Sequence, residues 1–327
     1  MHLDRRHFLS TFAAAGACSF AGRAVAARYP DHPVRIIAPY AAGGTTDFIT
    51  RLFAQNLQVE LGQSFIVDNR PGAGGNIGSN MVVKAAPDGY TLLAGSLSTF
   101  ALNAAVYRNI GHDPLTDLVP AAMTTLVPGA IVVSPSLGVR DLKGLVALLK
   151  ASPGKFNYGS AGNGTSSHIA LALFLEQTGT QATHVPYKGV SPAVVDLLAG
   201  NIGILFTSPT TVLEHIRSGK VVALASVSPN RLKALPNVPT VAEAGFSKFD
   251  AYSWNCLFVP KGTPSSVTDT LCAAVNKIMT KHEVIVKLEE QGMLPVAEQT
   301  PESTRSFTQA EFRRWVPFVK KMHIAVD

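Results

Sequence analysis

The sequence predicts an α/β protein of two lobes around a cleft, and three observations predict it. Short apolar runs alternate with amphipathic helical patterns along most of the chain, which is the order that gives mostly parallel sheets covered by helices. That series runs through the first hundred residues and restarts at Gly129. Finally, two strand-to-helix turns, at 39–47 (PYAAGGTTD) and 158–166 (YGSAGNGTS), share one chemistry: glycines that let backbone turn tightly and come close to a ligand, with Ser and Thr hydroxyls around them.

In the first series, strands are expected at 34–38, 64–67 and 90–94, with helices at about 46–61 and 76–86 between them. The second series begins with a strand at 129–133 and continues with a helix at about 141–151 and a strand at 155–158. A helix at 165–178, a strand at 182–185, a helix at 192–198 and strands at 202–207 and 221–227 follow. Pro229, Pro236 and Pro239 then break the periodicity, so 228–250 reads as a long crossing loop. A buried-looking strand at 252–259 leads into helices at about 265–280, 282–291 and 301–321. That helical tail has too few strands for a third domain and is expected to pack back on the first lobe. Lobe 1 is therefore read as discontinuous, 27–135 with 250–327, and lobe 2 as 136–249.

Residues 1–26 read as an export signal. Arg5 and Arg6 precede an apolar stretch from Phe8 to about Phe20, too short to span a membrane, and Ala24-Val25-Ala26 offers a cleavage site near Ala26. The Arg-Arg-x-Phe-Leu order is twin-arginine-like, although an ordinary secretory signal can begin in the same way. The mature chain is thus expected outside the cytoplasm, in the periplasm. Its roughly 300 residues suffice for two cores. A hydrophobic fraction of 46% against 15% charged residues excludes a disordered chain. Net charge is +6; the signal holds Arg5, Arg6 and Arg23 against Asp4, which leaves +4 on scattered positions and no nucleic-acid footprint. Cys256 and Cys272 are the mature thiols, read as two buried free cysteines although an oxidising compartment permits a bridge. Too few thiols and no paired His spacing argue against zinc.

Each glycine turn opens a helix whose first peptide N–H groups lack intrahelical partners and carry the positive end of the dipole, so each suits a small anion. The second comes close to a P-loop, but Thr165 stands where the lysine belongs, which argues against an ATPase and leaves a carboxylate site or a plain N-cap at Thr165 or Ser166. The segment 69–78 (NRPGAGGNIG) resembles a dinucleotide fingerprint broken by Ile77, and a tight loop is the better reading. Asp47 reads either as a cap that fastens the loop or as a direct ligand contact. His168 reads as a structural histidine or as one that orients the loop, and Lys188, at the end of the 184–189 segment, as a solvated side chain or a partner for an acid. No Gly-x-Ser-x-Gly elbow occurs, so a hydrolase using Ser160 and His168 is the rival from another class.

These segments together resemble the substrate-binding receptors of tripartite tricarboxylate transporters, the Bug family. The likeness runs through P-x-x-x-G-G-x-x-D-x-x-x-R at 39–51, N-R-P-G-A-G-G at 69–75, A-P-D-G-Y-T-L at 86–92, the loop at 158–168 and H-V-P-Y-K-G at 184–189. It continues through L-P-N-V-P-T at 235–240, Trp254 and P-K-G-T-P at 260–264. The resemblance implies a type II periplasmic-binding-protein-like fold closing on a small organic acid, no enzymatic activity, no cofactor, and delivery to a membrane permease of two subunits. A sensor that signals without transport would use the same pocket.

The loops implied to hold ligand supply Gly43, Gly44, Thr45, Thr46 and Asp47 on one side. Ser160, Asn163, Gly164, Thr165 and Ser166 come from the other. Tyr40, Ser96, Ser98 and Trp254 are expected to shape the rest of the pocket, and His168, Tyr187, Lys188 and Thr207 are further candidates for its wall. Family members often carry Asp in the stretch matching 200–208, where this chain has Gly203 and Thr207, which leaves open a more acidic or a more apolar ligand end. A monomer is expected.

Overall fold

The computed structural model describes residues 29–249 and 251–322; the expected signal peptide and its cleavage near Ala26 lie outside the described residues. Two sheets organise the chain. The first has the order β11 (Leu294–Pro295), β4 (Leu118–Val127), β10 (Ser253–Pro260), β3 (Thr91–Ser96), β1 (Val34–Ala38), β2 (Phe65–Asn69). The second has the order β7 (Thr183–Pro186), β6 (Asn157–Ser160), β8 (Ile204–Thr207), β5 (Gly129–Val133), β9 (Val222–Val227).

In the first sheet β1 (Val34–Ala38) runs parallel to β2 (Phe65–Asn69) and β3 (Thr91–Ser96), as expected for strands joined by helical crossovers. The crossover helix α1 (Thr45–Leu61) buries Ile49, Leu52, Phe53 and Leu57, one face at helical spacing, and ends where Gly62 turns left-handed at φ 73°. Helix α2 (Asn76–Val83) makes the second crossover. The sequence reading missed β4 (Leu118–Val127), ten residues that pair antiparallel with β10 (Ser253–Pro260); β10 in turn pairs with β3.

The second sheet receives β5 (Gly129–Val133), which pairs antiparallel with β8 (Ile204–Thr207) and β9 (Val222–Val227). That corrects the placement of 129–135 in the first lobe: the chain changes sheets at Pro128, the one residue between β4 and β5. Strand β6 (Asn157–Ser160) runs parallel to β7 (Thr183–Pro186) and β8. Helices α3 (Leu142–Ala151), α4 (Ser166–Thr178) and α5 (Val190–Ala199) supply the crossovers. The segment after β9 is the expected irregular crossing, although Leu232, Leu235 and Val238 bury a small core of their own against Leu213.

The tail returns to the first sheet as α6 (Ser265–Ile278), α7 (His282–Glu290) and α8 (Pro301–Lys321), with the short β11 (Leu294–Pro295) pairing with β4. A Thr300–Ser303 capping box with Pro301 at the first helical position starts α8. Trp254 is fully buried under this helix, donating from Nε1 to Glu311 Oε2 at 3.2 Å and meeting Phe307 edge-on. It therefore does not shape a ligand pocket, contrary to expectation: on a strand, neighbours alternate faces, and Trp254 takes the face under α8 while Ser253 and Asn255 take the other. Burial of an aromatic of this size contributes roughly 2–3 kcal/mol. Cys256 and Cys272 are both buried and free, as expected.

Candidate ligand-binding cleft

The two expected turns face each other across a cleft between the sheets with about 100 Å³ of accessible space. In the first, β1 ends at Ala38 and the chain turns at Gly43, whose φ of 80° favours glycine, into Gly44, the N-cap of α1. The N–H groups of Thr45 and Thr46 have no partner among the described residues, as the start of a helix dictates. Tyr40, Gly44, Thr45 and Thr46 line the cleft. The Tyr40 hydroxyl lies 3.4 Å from Ser96 Oγ, and Asn255 Nδ2 donates to Thr46 Oγ1 at 3.4 Å.

Asp47 fastens the loop. Its Oδ2 accepts from the Gly43 N–H at 3.0 Å, and its carboxylate also accepts from Arg51 Nε and, at 2.9 Å, from Asn69 Nδ2. Burial pushes its pKa up, but the hydrogen bonds from Arg51, Gly43 and Asn69 outweigh burial and hold it below the ordinary aspartate value. Asn69 also donates to Tyr40 O at 3.1 Å, which explains how the Asn-Arg-Pro-Gly segment serves the site without entering it. Neither Gly43 nor Asp47 lines the cleft.

The second turn is neutral. Gly162 (φ 132°) and Gly164 (φ 75°) bend the backbone into Thr165, the N-cap of α4. Thr165 does not cap through its side chain; its hydroxyl donates to Gly162 O at 2.6 Å. The Gly164 N–H donates to His168 Nδ1 at 3.2 Å, and the Ala161 N–H to Ser167 Oγ at 2.9 Å. His168 stacks on His184, ring centroids 3.8 Å apart, and His184 Nε2 shares a 2.6 Å hydrogen bond with Ser160 Oγ. Burial, with the neighbouring His184, brings the His168 pKa down to about 3, and burial brings that of His184 down to about 4, so both rings are neutral at pH 7.

Of the second-turn candidates, Thr165 and Ser166 line the cleft. Ser160 and His168 are buried behind the loop, and the serine bonds His184 rather than His168, so the two residues of the hydrolase reading do not form a pair. Asn163, Tyr187 and Lys188 line a neighbouring recess instead. Tyr187 is bonded to Asp196, and Gly164 lies against the first lobe, where a Cβ would stand 2.9 Å from Asn103 Oδ1.

Ser96, Ser98 and Thr207 do line the cleft. Ser98 binds across it, accepting from the Ser166 N–H at 2.8 Å. Tyr107 Oη donating to Asn163 O at 3.1 Å and Ser191 Oγ donating to Ala42 O at 3.3 Å also join the lobes, so this is a closed form. Sequence reasoning missed Ser253 and Asn255, which the alternation about Trp254 would have revealed, and Val127, Pro128, Gly129, Val190 and Phe206. The glycine at 129 makes room for Phe206, whose ring a Cβ would meet at 1.9 Å. None of the residues lining the cleft carries a formal charge. No helix among the described residues is long and apolar enough to cross a membrane.

Known proteins place this architecture. The family described as tripartite tricarboxylate transporter family receptor matches over residues 49–324. Protein BugT of Bordetella pertussis is 40% identical over 294 residues, 90% of each chain. A solved structure described as R. palustris Rpa4515 with adipate superposes with a TM-score of 0.86 at 34% identity, covering 90% of this chain and 98% of the other. The periplasmic binding protein BugD superposes equally, TM-score 0.86 at 31% identity, covering 91% and 100%. The chain belongs to the tripartite tricarboxylate transporter receptor family: it is a periplasmic solute-binding receptor of the type II-like fold and not an enzyme.

Proposed function

We propose that the cleft captures a small organic carboxylate and that the closed, loaded receptor is what the membrane permease subunits of a tripartite transporter receive. The observation that carries this reading is the pair of helix starts facing each other in a cleft with no charged side chain. A carboxylate is satisfied there by peptide N–H groups and hydroxyls alone, and it completes the orphan donors of Thr45 and Thr46. The adipate in the related Rpa4515 supports the ligand class. Tyr40, Gly44, Thr45, Thr46, Ser96, Ser98, Thr165, Ser166 and Asn255 make the contacts in this proposal, while Gly43, Asp47, Ser160, Gly164 and His168 hold the loops that present them. The lobes move as the two sheets with their helices, bending at Pro128 and in the return segment before β10, and the receptor acts as a monomer.

Charge-assisted hydrogen bonds in a closed site are consistent with micromolar affinity, about 8 kcal/mol. Titration calorimetry of the mature protein against small mono- and dicarboxylates tests the reading. Micromolar binding of at least one acid, weakened tenfold or more by Ser98→Ala or Asn255→Ala, is the expected result. A panel in which no acid binds overturns it.

A further inference from the structure

We infer that the closed receptor docks on its permease through a surface shared by both lobes, with Ile77 on the first, Val195 and Leu198 on the second, and Lys188 between them. This rests on the transport reading above. It adds the place of contact and the chemistry of the partner: an apolar periplasmic face of a permease subunit that sets a carboxylate opposite Lys188.

Helix α5 lacks the polar outer face that a surface helix ordinarily carries. Its sequence, VSPAVVDLLA, holds one charged residue, and that residue, Asp196, is bonded to Tyr187 and Asn201. Ala193, Val194 and Leu197 are buried, yet Val195 is 63% exposed and Leu198 36%. Ser191, Val195 and Leu198 follow one another at steps of four and three, so they form one line along the helix. That line begins where the lobes meet: Ser191 Oγ donates to Ala42 O, and a Cβ on Gly43 would stand 3.5 Å from the same hydroxyl.

The first lobe brings the same character to the other side of the recess. Ile77, in the first turn of α2, is 51% exposed, and a Cβ on Gly72 would stand 2.6 Å from its Cδ1. Gly72 lines the recess together with Lys188, and the recess meets the ligand cleft at Tyr40 and Ala161. The Lys188 side chain is exposed and has no hydrogen-bond or ion-pair partner among the described residues. Exposed apolar side chains grouped around an unpaired ammonium group mark an interaction surface, complementary to an apolar face with one acidic side chain.

The surface is whole only while the lobes are shut. It continues the interface between them, where Tyr107 meets Asn163 and Ser191 meets Ala42. Opening carries Ile77 away from Val195 and breaks the surface in two. A permease that docks here therefore tells the closed receptor from the open one, and it sits over the recess that adjoins the ligand. A second copy of the receptor would gain nothing from that dependence.

The test compares affinity with uptake. Calorimetry gives the affinity for whichever acid of the panel binds best, and uptake of that labelled acid is followed in cells carrying this receptor with its two permease subunits. Val195→Glu, Ile77→Glu and Lys188→Glu, each checked for native circular dichroism, should keep affinity within threefold and lower uptake at saturating acid at least fivefold. Val59→Glu is the control: Val59 is 74% exposed but lies about 20 Å along α1 from the seam, and its uptake should stay within twofold. A folded Val195 or Ile77 variant with normal affinity and a smaller loss of uptake overturns the inference while leaving the receptor reading intact. Light scattering that finds the unaltered protein dimeric and these variants monomeric assigns the face to a second copy, which also overturns it. If the unaltered protein binds no acid the receptor reading fails, and if it binds one without supporting uptake the transport reading fails; either takes the inference with it.

Discussion

At the start of α1 the side chains that support the anion-facing backbone are charged; at the start of α4 they are neutral. Asp47 is bonded to Gly43, Arg51 and Asn69, an ion pair with an amide beside it. Behind the other turn stand two stacked imidazoles and a serine: His168 and Ser160 are buried and His184 is half-buried. Both arrangements fix a glycine turn, but they act differently on a bound anion. The Asp47 carboxylate opposes it and Arg51 offsets that opposition. The neutral histidines leave the positive end of α4 uncompensated. A site can therefore use the same backbone device twice and give its two halves different responses to pH.

The strongest way to break the comparison is at the glycines. Gly44 has an ordinary φ of −89°, so Gly44→Val is tolerated by the backbone, but its Cβ would lie 3.4 Å from Val190 Cγ1 on the opposite lobe. Two further methyl groups there cover the Thr45 and Thr46 donors and hold the lobes apart. Calorimetry should show at least about 100-fold weaker binding, near 3 kcal/mol, with stability lowered by only about 1 kcal/mol at the N-cap. Gly164→Ala acts from the other side: φ of 75° strains any side chain, and the new Cβ meets Asn103 Oδ1 at 2.9 Å. Binding about tenfold weaker is expected, with a larger radius of gyration in small-angle scattering as the lobes separate.

Acid separates the two supports. A buried neutral histidine whose folded pKa lies below its unfolded value contributes stability in full above about pH 6.5 and loses it as the pH falls toward the folded value. For His184 and His168 that loss runs from about 6.5 toward about 4 and about 3. Asp47, also lowered, keeps its contribution until the pH drops below the ordinary aspartate value and loses it through its folded value. Urea unfolding between pH 6.5 and 4.5 should therefore decline by up to about 1.4 kcal/mol per pH unit for each histidine. His168→Asn, whose amide oxygen can still accept from Gly164, should flatten that decline; an unchanged slope would remove His168 from this account. The smallest effect is expected from Arg51→Met, which exposes the ligand to an unpaired Asp47. Affinity should fall about threefold to fivefold, and salt should diminish the difference by screening.

Much of the fold was legible because its signals are local. Helix α1 shows a buried face at 49, 52, 53 and 57 and a glycine stop, and the two turns show their glycines and hydroxyls side by side. Strand β4 was not legible. Pro120 and a run of Ala and Thr hide it, and it is buried almost throughout, so it lacks the alternation that marks a half-exposed strand. The place where the chain changes sheets was displaced for a related reason: β5 is an apolar run that either sheet could accept, and only its pairing with β8 and β9 decides.

By itself the sequence determined that the protein has two anion-suited helix starts, because glycine, hydroxyl and helix periodicity are properties of neighbouring residues. Tertiary structure alone decided which side chains surround the cleft. Trp254 went under α8 and Asn255 into the site, Asp47 was bound to Arg51 and Asn69, and His184 rather than His168 took Ser160. Apart from Arg51, four positions from Asp47, the bonded partners come from 22 to 57 positions away along the chain, and short-range pattern holds no record of contacts at that separation.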